Sequence, residues 1–509
     1  MTTTEHSPTG ATTTDDTSSV GSGEGARSED TSTRRRWVRP DGALTAFCVL
    51  ALLVGSAFAL ITPSMWGADE AQHISRVWSI SEGTVAPRQV YDARGVNWGD
   101  DIPTSVYDLS VWSARTIGDH PATPFAQIKD PAELARLDAA PLDTTTREVA
   151  FANTSVYAPV AYLPALAGMV IAKAAGLSVG SAIVLMRLLG LLTYVALVAA
   201  GLVVLRAHRA RWLVFVAALV PMSLFQATTV TTDTMTLGLC LLAGSLLLKA
   251  VFLRARLNVA ETTALLVAGA MIPLCKSGYV IFLPLVLVVP SALLPGRRWG
   301  RAAAAATVGV GVVAFAWWTR VTAITSSAMG FMRPQSQWGT VVPASQVGFI
   351  LENPLTVVRI VVNTLSSKGN MYFTQFFGDL GFTFVSIPAL ATVAVIMATV
   401  VAFGASERVS VPMGSTLVVA LAVLAGIASV FGALYLGFSP VGYYIIDGVQ
   451  GRYFLPFILL VLGVLLRVVP LRWHLPDARH QRACTTAVVC LVASALGLAV
   501  LKYYFVVWV

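Results

Sequence analysis

Charge is scarce in this sequence. Only 12% of its 509 residues are Asp, Glu, Lys or Arg, against 56% hydrophobic, and the mean hydropathy is +0.71. So little polar surface cannot cover a soluble globule of this length, and the solvent it implies is lipid. Cysteine is scarce too. Cys48, Cys240, Cys275, Cys484 and Cys490 mostly sit inside apolar runs with no CxxC spacing. That excludes a disulfide framework and a thiolate metal site, and they read as small core-type residues. No repeat of fixed period is visible, which excludes a solenoid and leaves no clear inverted-repeat transporter. The net charge of +8 is no sign of nucleic acid. Lys and Arg stand in short clusters between apolar runs, where they act as topology determinants.

What is present begins with a tail, residues 1–33, rich in Thr, Ser, Gly, Asp and Glu. It has almost no large apolar side chain to offset the entropy of ordering and is expected to be disordered and cytoplasmic. Arg34, Arg35, Arg36 and Arg39 follow, and then the apolar run Ala43 to Ile61. A tail and a run this long favour an uncleaved first transmembrane helix over a signal peptide. Further runs near the length of a span occur at 181–205, 212–230, 234–253, 259–275, 278–294, 302–320, 382–404, 412–437, 453–470 and 484–508.

One more stretch, Tyr157 to Ala175, decides the map. If it crossed, four basic segments would lie outside: Arg206–Arg211, Arg254/Arg256, Arg297/Arg298/Arg301 and Arg472–Arg482. Treated as juxtamembrane or re-entrant, it puts all of them on the cytoplasmic side with Arg34–Arg39. Pro159 and Pro164 interrupt it, as suits irregular backbone covered by protein. The expectation is an all-α polytopic membrane protein of eleven crossings over 34–509 with its C-terminus outside. Large outer loops fall at 63–180 and 321–381. The first is too long for a connector, and its Trp66, Trp78, Trp98 and Trp112 place part of it at the headgroup level.

This threading gathers acidic positions at the outer face: Asp69 and Glu70, Asp233, Asp379 and Asp447. Helical spacing brings Glu70, His73 and Arg76 near Asp69. Asp233 interrupts an apolar stretch between two spans, where a carboxylate marks a site, or else caps the helix that follows. The same face carries few cations: Arg76, Arg187, Lys276, Lys368 and Arg452. Against the positive-inside trend they need a local anion, which a lipid-linked phosphate would supply and ordinary headgroups also offer. Carboxylates and cations on one face fit transfer of a sugar from a lipid phosphate. Asp69, Glu70 and His73 also offer ligands to a divalent ion such as Mg or Mn, the alternative being a hydrogen-bond network.

From about residue 45 to 470 the chain resembles the bacterial integral-membrane family catalogued as domain of unknown function 2142, related to the GT-C glycosyltransferases. The resemblance rests on Pro63-Ser-Met-Trp-Gly-Ala-Asp-Glu-Ala-Gln-His-Ile-Ser-Arg76 with Ile80-Ser-Glu-Gly83, on Asn153 to Pro164, and on Arg187. It continues through Pro221 to Gln226 with Thr231-Thr-Asp233, Lys276-Ser-Gly-Tyr279, and Gln450-Gly-Arg-Tyr-Phe-Leu-Pro456. Ala68 and Ala71 flank the Asp-Glu pair where such families often carry Pro, and Ser277 stands where Pro often follows the Lys.

The resemblance implies a polyprenyl-phosphate sugar donor and an acidic motif in the first extracytoplasmic loop, followed by juxtamembrane helices. It makes Asp69 the catalytic base, with Glu70 beside it and Asp233 as the second acidic position. His73, Arg76, Tyr157, Arg187, Gln226, Lys276, Tyr279 and Arg452 become candidate substrate-binding residues. The expected function is an inverting glycosyltransferase of the cytoplasmic membrane, moving a hexosyl or pentosyl group to an envelope glycan or lipid acceptor at the outer face. A flippase of lipid-linked saccharide and a non-catalytic envelope-polysaccharide assembly protein are the alternatives.

Overall fold

The computed structural model describes residues 42–118, 128–142 and 145–509. The tail expected over 1–33 and the cluster Arg34–Arg39 lie outside the described residues. Of the described residues 72% are helical. Among the described residues seven helices are long and apolar enough to cross a membrane: Gly42–Ile61, Val179–Val204, Thr232–Phe252, Arg298–Thr325, Met413–Gly437, Gly451–Val468 and Ala478–Trp508. The chain is therefore a polytopic membrane protein. An eighth candidate is a pair, Pro343–Glu352 and Pro354–Gly378, bent by 108°. Asn353 and Pro354 make the corner, since the residue before a proline is pushed out of helical backbone.

Four expected crossings are shorter than a full span. The 212–230 run forms Arg211–Ala218 and Pro221–Ala227, broken in front of Pro221. The 259–275 run is one helix of 17 residues, Val259–Cys275, started by a capping box between Asn258 and Glu261. The 278–294 run is a series of short turns with Pro284 and Pro290 in it, and the 382–404 run starts its helix only at Ala389, after Pro388. The Tyr157 to Ala175 stretch holds a short turn, Pro159–Tyr162, and the helix Leu163–Ala174.

Burial orders the bundle. Of the apolar window of Thr232–Phe252, 94% is covered by protein, against 28% for Gly42–Ile61. The first is the central helix and the second faces lipid with Val49, Leu53 and Leu60. At one end of the bundle the basic loops interlock. The Glu407 carboxylate accepts from the amides of Arg209 and Ala210, Arg472 donates to the Glu407 carbonyl, and Arg467 donates to the Val411 carbonyl. The opposite end carries the segment between Ile61 and Val179. There the Trp508 indole donates to the Ile61 carbonyl, 2.6 Å away.

That segment is not purely helical, which corrects the all-α expectation. Helix α1 (Gly42–Ile61) leads through a tight loop to α2 (Glu70–Ser81). Strands β1 (Arg88–Asp92), β2 (Gly95–Pro103) and β3 (Thr146–Ala150) form an antiparallel sheet in the order β1-β2-β3. Helices α3 (Thr104–Gly118) and α4 (Pro131–Asp138) lie between β2 and β3, and Asp130 caps α4 by accepting from the Glu133 amide. Buried Asp100 ties sheet to helix, accepting from Ser79 at 2.8 Å and Arg88 at 2.9 Å. Trp66 and Trp112 stack 6.3 Å apart in the core, and Trp78 is buried as well. These indoles are part of the protein's own packing.

Candidate functional site

The loop between α1 and α2 is held under strain. Met65 and Asp69 both have positive φ, 65° and 54°, where side chains other than glycine are disfavoured. What overdetermines this backbone is Glu70, fully buried at 0% exposure. Its carboxylate accepts from Arg187 at 2.8 and 2.6 Å, from the Gly67 amide at 2.9 Å and from the Val230 amide at 2.8 Å. Arg187 in turn donates to the carbonyls of Ala59, Thr62 and Pro63, closing the C-terminal end of α1. The pair is a bidentate latch joining α1, the loop, the Val179–Val204 helix and the approach to the central helix.

Asp69, next in the chain to this latch, is left free. Among the described residues its carboxylate has neither a hydrogen-bond nor an ion-pair partner, and it borders a cavity. Burial raises its carboxyl above the usual carboxylate range; Arg452 and Lys276 oppose the shift and Asp233 adds to it.

Those three residues form the second half of the site. Asp233 lies in the first turn of the central helix, where Thr231 is the cap and accepts from the Asp233 amide. The carboxylate of Asp233 is therefore available to Lys276, whose Nζ donates to it at 2.5 Å. Lys276 sits where Val259–Cys275 ends, in extended backbone with φ −157°. Arg452 enters on the short turn Gly451–Phe457, with Nε 3.8 Å from Asp233 Oδ2. That is too far for a hydrogen bond, and among the described residues the Nε–H of Arg452, a residue only 7% exposed, is buried without an acceptor. Tyr453 lies under both cations, its ring centre 4.3 Å from Lys276 Nζ and 5.5 Å from the Arg452 guanidinium. Its carbonyl accepts from the Tyr279 hydroxyl at 2.9 Å. Gly451 makes the turn possible, because a Cβ there would meet the Tyr372 carbonyl oxygen at 1.9 Å.

The remaining expected residues divide. His73 stacks on Tyr157, with ring centres 5.9 Å apart, and its Nδ1 meets the Tyr162 hydroxyl at 2.7 Å. Burial lowers its pKa to about 3, so the imidazole is neutral. Both His73 and Tyr157 adjoin the cluster. Arg76 points away and donates to the carbonyls of Thr84 and Val85. Gln226 is buried with its side-chain amide nitrogen unpaired, while its carbonyl accepts from Thr234. Asp379 accepts from Thr374 and Ser386, and Asp447 from Arg333, so neither joins the cluster. Sequence reasoning passed over Tyr453, although it lies beside Arg452 in a quoted motif, and Arg333, which has no neighbouring pattern to single it out.

Asp69, Glu70 and His73 do not fit a divalent ion together. Both Glu70 oxygens are spent on Arg187 and two amides, and His73 Nδ1 is spent on Tyr162. Among the described residues no group of three or more His, Cys, Asp or Glu is placed to hold a metal.

Asp69 borders a cavity of about 800 Å³ between α2, α3 and the sheet, lined also by Gln72, Ser75, Tyr91, Tyr107 and Arg147. One site therefore joins a free carboxylate, a polar cavity, the buried cation of Arg452 and the partly buried cation of Lys276.

No curated protein and no solved structure matches the chain significantly. A family model described as predicted membrane protein (DUF2142) matches residues 52–461, spanning the Asp69 loop, the central helix and Arg452. The chain belongs to the DUF2142 family of predicted membrane proteins.

Proposed function

We propose that this chain is an inverting glycosyltransferase of GT-C type, moving a sugar from a polyprenyl phosphate to an envelope acceptor at the outer face of the cytoplasmic membrane. The observation that carries the reading is that, among the described residues, the Asp69 carboxylate has no partner and stands between a polar cavity and a buried arginine whose Nε–H has no acceptor. Arg452 and Lys276 hold the donor phosphate, Arg452 through its vacant donor. Asp69 takes the proton of the acceptor hydroxyl. The hydroxyl oxygen bonds to the anomeric carbon from the face opposite the phosphate, and the bond from that carbon to the phosphate oxygen breaks, its electron pair leaving on the phosphate. The two cations stabilise the charge that develops there. Elevation of the Asp69 carboxyl suits a base, which works best with a pKa drawn toward the operating pH. Glu70 acts as a positioning residue, and Asp233 holds Lys276.

The reading takes the chain through the membrane eleven times, with the N-terminus cytoplasmic and the C-terminus outside. Supporting it, the basic loops around Arg209 and Arg472 meet at Glu407, and Leu257 bonds to Leu293. The four shorter apolar segments then serve as crossings shielded by the longer helices.

The test uses the full chain in lipid nanodiscs with polyprenyl phosphate and with membranes carrying radiolabelled lipid-linked sugars. Asp69→Asn should keep polyprenyl-phosphate binding and lose transfer by about 10²- to 10⁴-fold. Arg452→Ala should weaken that binding. Full transfer by Asp69→Asn would sink the assignment. Translocation of the lipid-linked sugar with no transfer in the wild type would make the protein a flippase.

A further inference from the structure

The cavity beside Asp69 has a chemistry of its own. It lies among α2, α3 and the β-sheet and is not walled by the apolar helices. Its volume, about 800 Å³, falls within the range of small-molecule sites, roughly 300–1,000 Å³. Its lining mixes polar groups with tyrosine rings and with small and aliphatic side chains such as Ala71, Val111 and Val149. Tyr91 is 67% exposed, and the Arg147 guanidinium covers the Tyr107 ring 3.8 Å from its centre.

Part of the polar lining is unused, while Ser75, Asp92, Arg94, Ser113 and Glu148 are already bonded. Among the described residues the Gln72 side-chain amide, the Tyr107 hydroxyl and the Arg147 guanidinium make no hydrogen bond. Together they offer about eleven donors and acceptors in a wall that also presents aromatic faces, by the ordinary count for these side chains, roughly four for Gln, two for Tyr and five for Arg. A lipid tail would need the opposite, an apolar wall continuous with the hydrocarbon core. A saccharide matches what is there: its C–H face lies on a tyrosine ring, and its rim of hydroxyls bonds to amide and guanidinium.

From this juxtaposition we infer that the cavity is the acceptor site and that the acceptor is a hydrophilic oligosaccharide, gripped by Gln72, Tyr107 and Arg147 with one hydroxyl delivered to Asp69. The inference rests on the transferase reading for the role of Asp69, while the cavity's ligand class stands on the lining alone. A sugar bound here presents its hydroxyl to the free carboxylate from the side opposite Arg452 and Lys276. The proton passes to Asp69, and the oxygen forms the new glycosidic bond as the phosphate departs. Water exclusion by the bound rings favours that hydroxyl over solvent.

The experiment measures binding and transfer separately, with the full chain in nanodiscs. The probes are fluorescently labelled oligosaccharides released by mild acid from the envelope of the producing cells, and, in a second arm, the lipid extract of the same cells. The wild type should bind the oligosaccharides, and Tyr107→Ala and Gln72→Ala should each bind them about tenfold more weakly. Tyr107→Phe keeps the ring and should retain most of the affinity. Arg147 is exposed, so Arg147→Ala leaves folding intact and gives an independent reading should Tyr107→Ala unfold. Polyprenyl-phosphate binding should be unchanged in all four. Absence of oligosaccharide binding by the wild type, or full affinity in both Gln72→Ala and Arg147→Ala, would overturn the inference. Transfer onto the lipid extract alone would overturn it too and leave the transferase standing. Oligosaccharide binding that depends on these residues, without any polyprenyl-phosphate binding, would keep the saccharide site and remove the transferase.

Discussion

Glu70→Gln and Asp69→Asn are adjacent, isosteric changes, and the structure assigns them opposite outcomes. Glu70 receives four hydrogen bonds, two of them from Arg187. Each oxygen accepts two of the four, so glutamine, which turns one of them into a donor, sets two of those donors against another donor. It also leaves the Arg187 cation, 1% exposed, without its counter-charge. Removing one partner of a buried pair costs about 3–5 kcal/mol, and each buried donor left unpaired costs about 1–3 kcal/mol more unless the backbone relaxes. Asp69 makes no such bonds, and the amide in Asp69→Asn relieves the burial of a charge. Its stability should stay within about 0.5 kcal/mol of wild type or rise slightly. Thermal unfolding in nanodiscs, followed by intrinsic fluorescence, separates the two. Glu70→Gln should unfold at a markedly lower temperature with Asp69→Asn unchanged or higher, while transfer is lost in Asp69→Asn even where the protein is fully folded. A Glu70→Gln protein as stable as wild type would refute the latch, and with it the account of why Asp69 is free.

Other consequences can be measured alongside. Because the Asp69 carboxyl is raised, the base protonates at a higher pH than an ordinary aspartate. The acid limb of transfer should lie above pH 3.8 and shift in Asp69→Glu but stay in place in His73→Gln. His73 has the opposite sign: its pKa is depressed to about 3, so the stability it confers is whole above pH 6.5 and drains away as pH falls toward 3. Loss of that slope in His73→Gln unfolding curves checks it. Lys276→Met leaves Asp233 with Arg452 alone, 3.8 Å away, and should cost up to about 3 kcal/mol, most of it restored by the double change with Asp233→Asn. Gly451→Ala drives a Cβ against the Tyr372 carbonyl, and polyprenyl-phosphate titration should show affinity reduced by roughly tenfold or more.

Much of the helical frame was legible because a span advertises itself: about twenty apolar residues with no charge, as in Gly42–Ile61 or Met413–Gly437. The proline-broken segments were legible as apolar but not as helices of a given length, since Pro221 and Pro388 decide where each begins. The sheet was missed for the reverse reason. Its strands are short and polar, Arg88–Asp92 and Thr146–Ala150, and the partner of Gly99 lies 51 residues away at Ala150, beyond any local period. At the site, Asp233, Lys276 and Arg452 announced themselves as charges at helix ends on one face. Nothing local distinguished Asp69 from Glu70, however. Their fates part because Glu70 finds Arg187, 117 residues on, a pairing that only the packed bundle reveals. Arg76 illustrates the same limit: helical spacing placed it with His73, yet its guanidinium closes on the chain just after α2.

The Glu70 latch also sets a timetable for synthesis. Its two distant partners follow it by 117 and 160 residues, so while the first outer loop is emerging its glutamate has nothing to answer it, and Asp69 has no fixed direction. Only when Val230 arrives, three residues ahead of Asp233, can the loop be drawn into its strained form. The protein thus arms its carboxylate only after the second long span has been made, at the moment when the helix bearing the second acidic group takes its place.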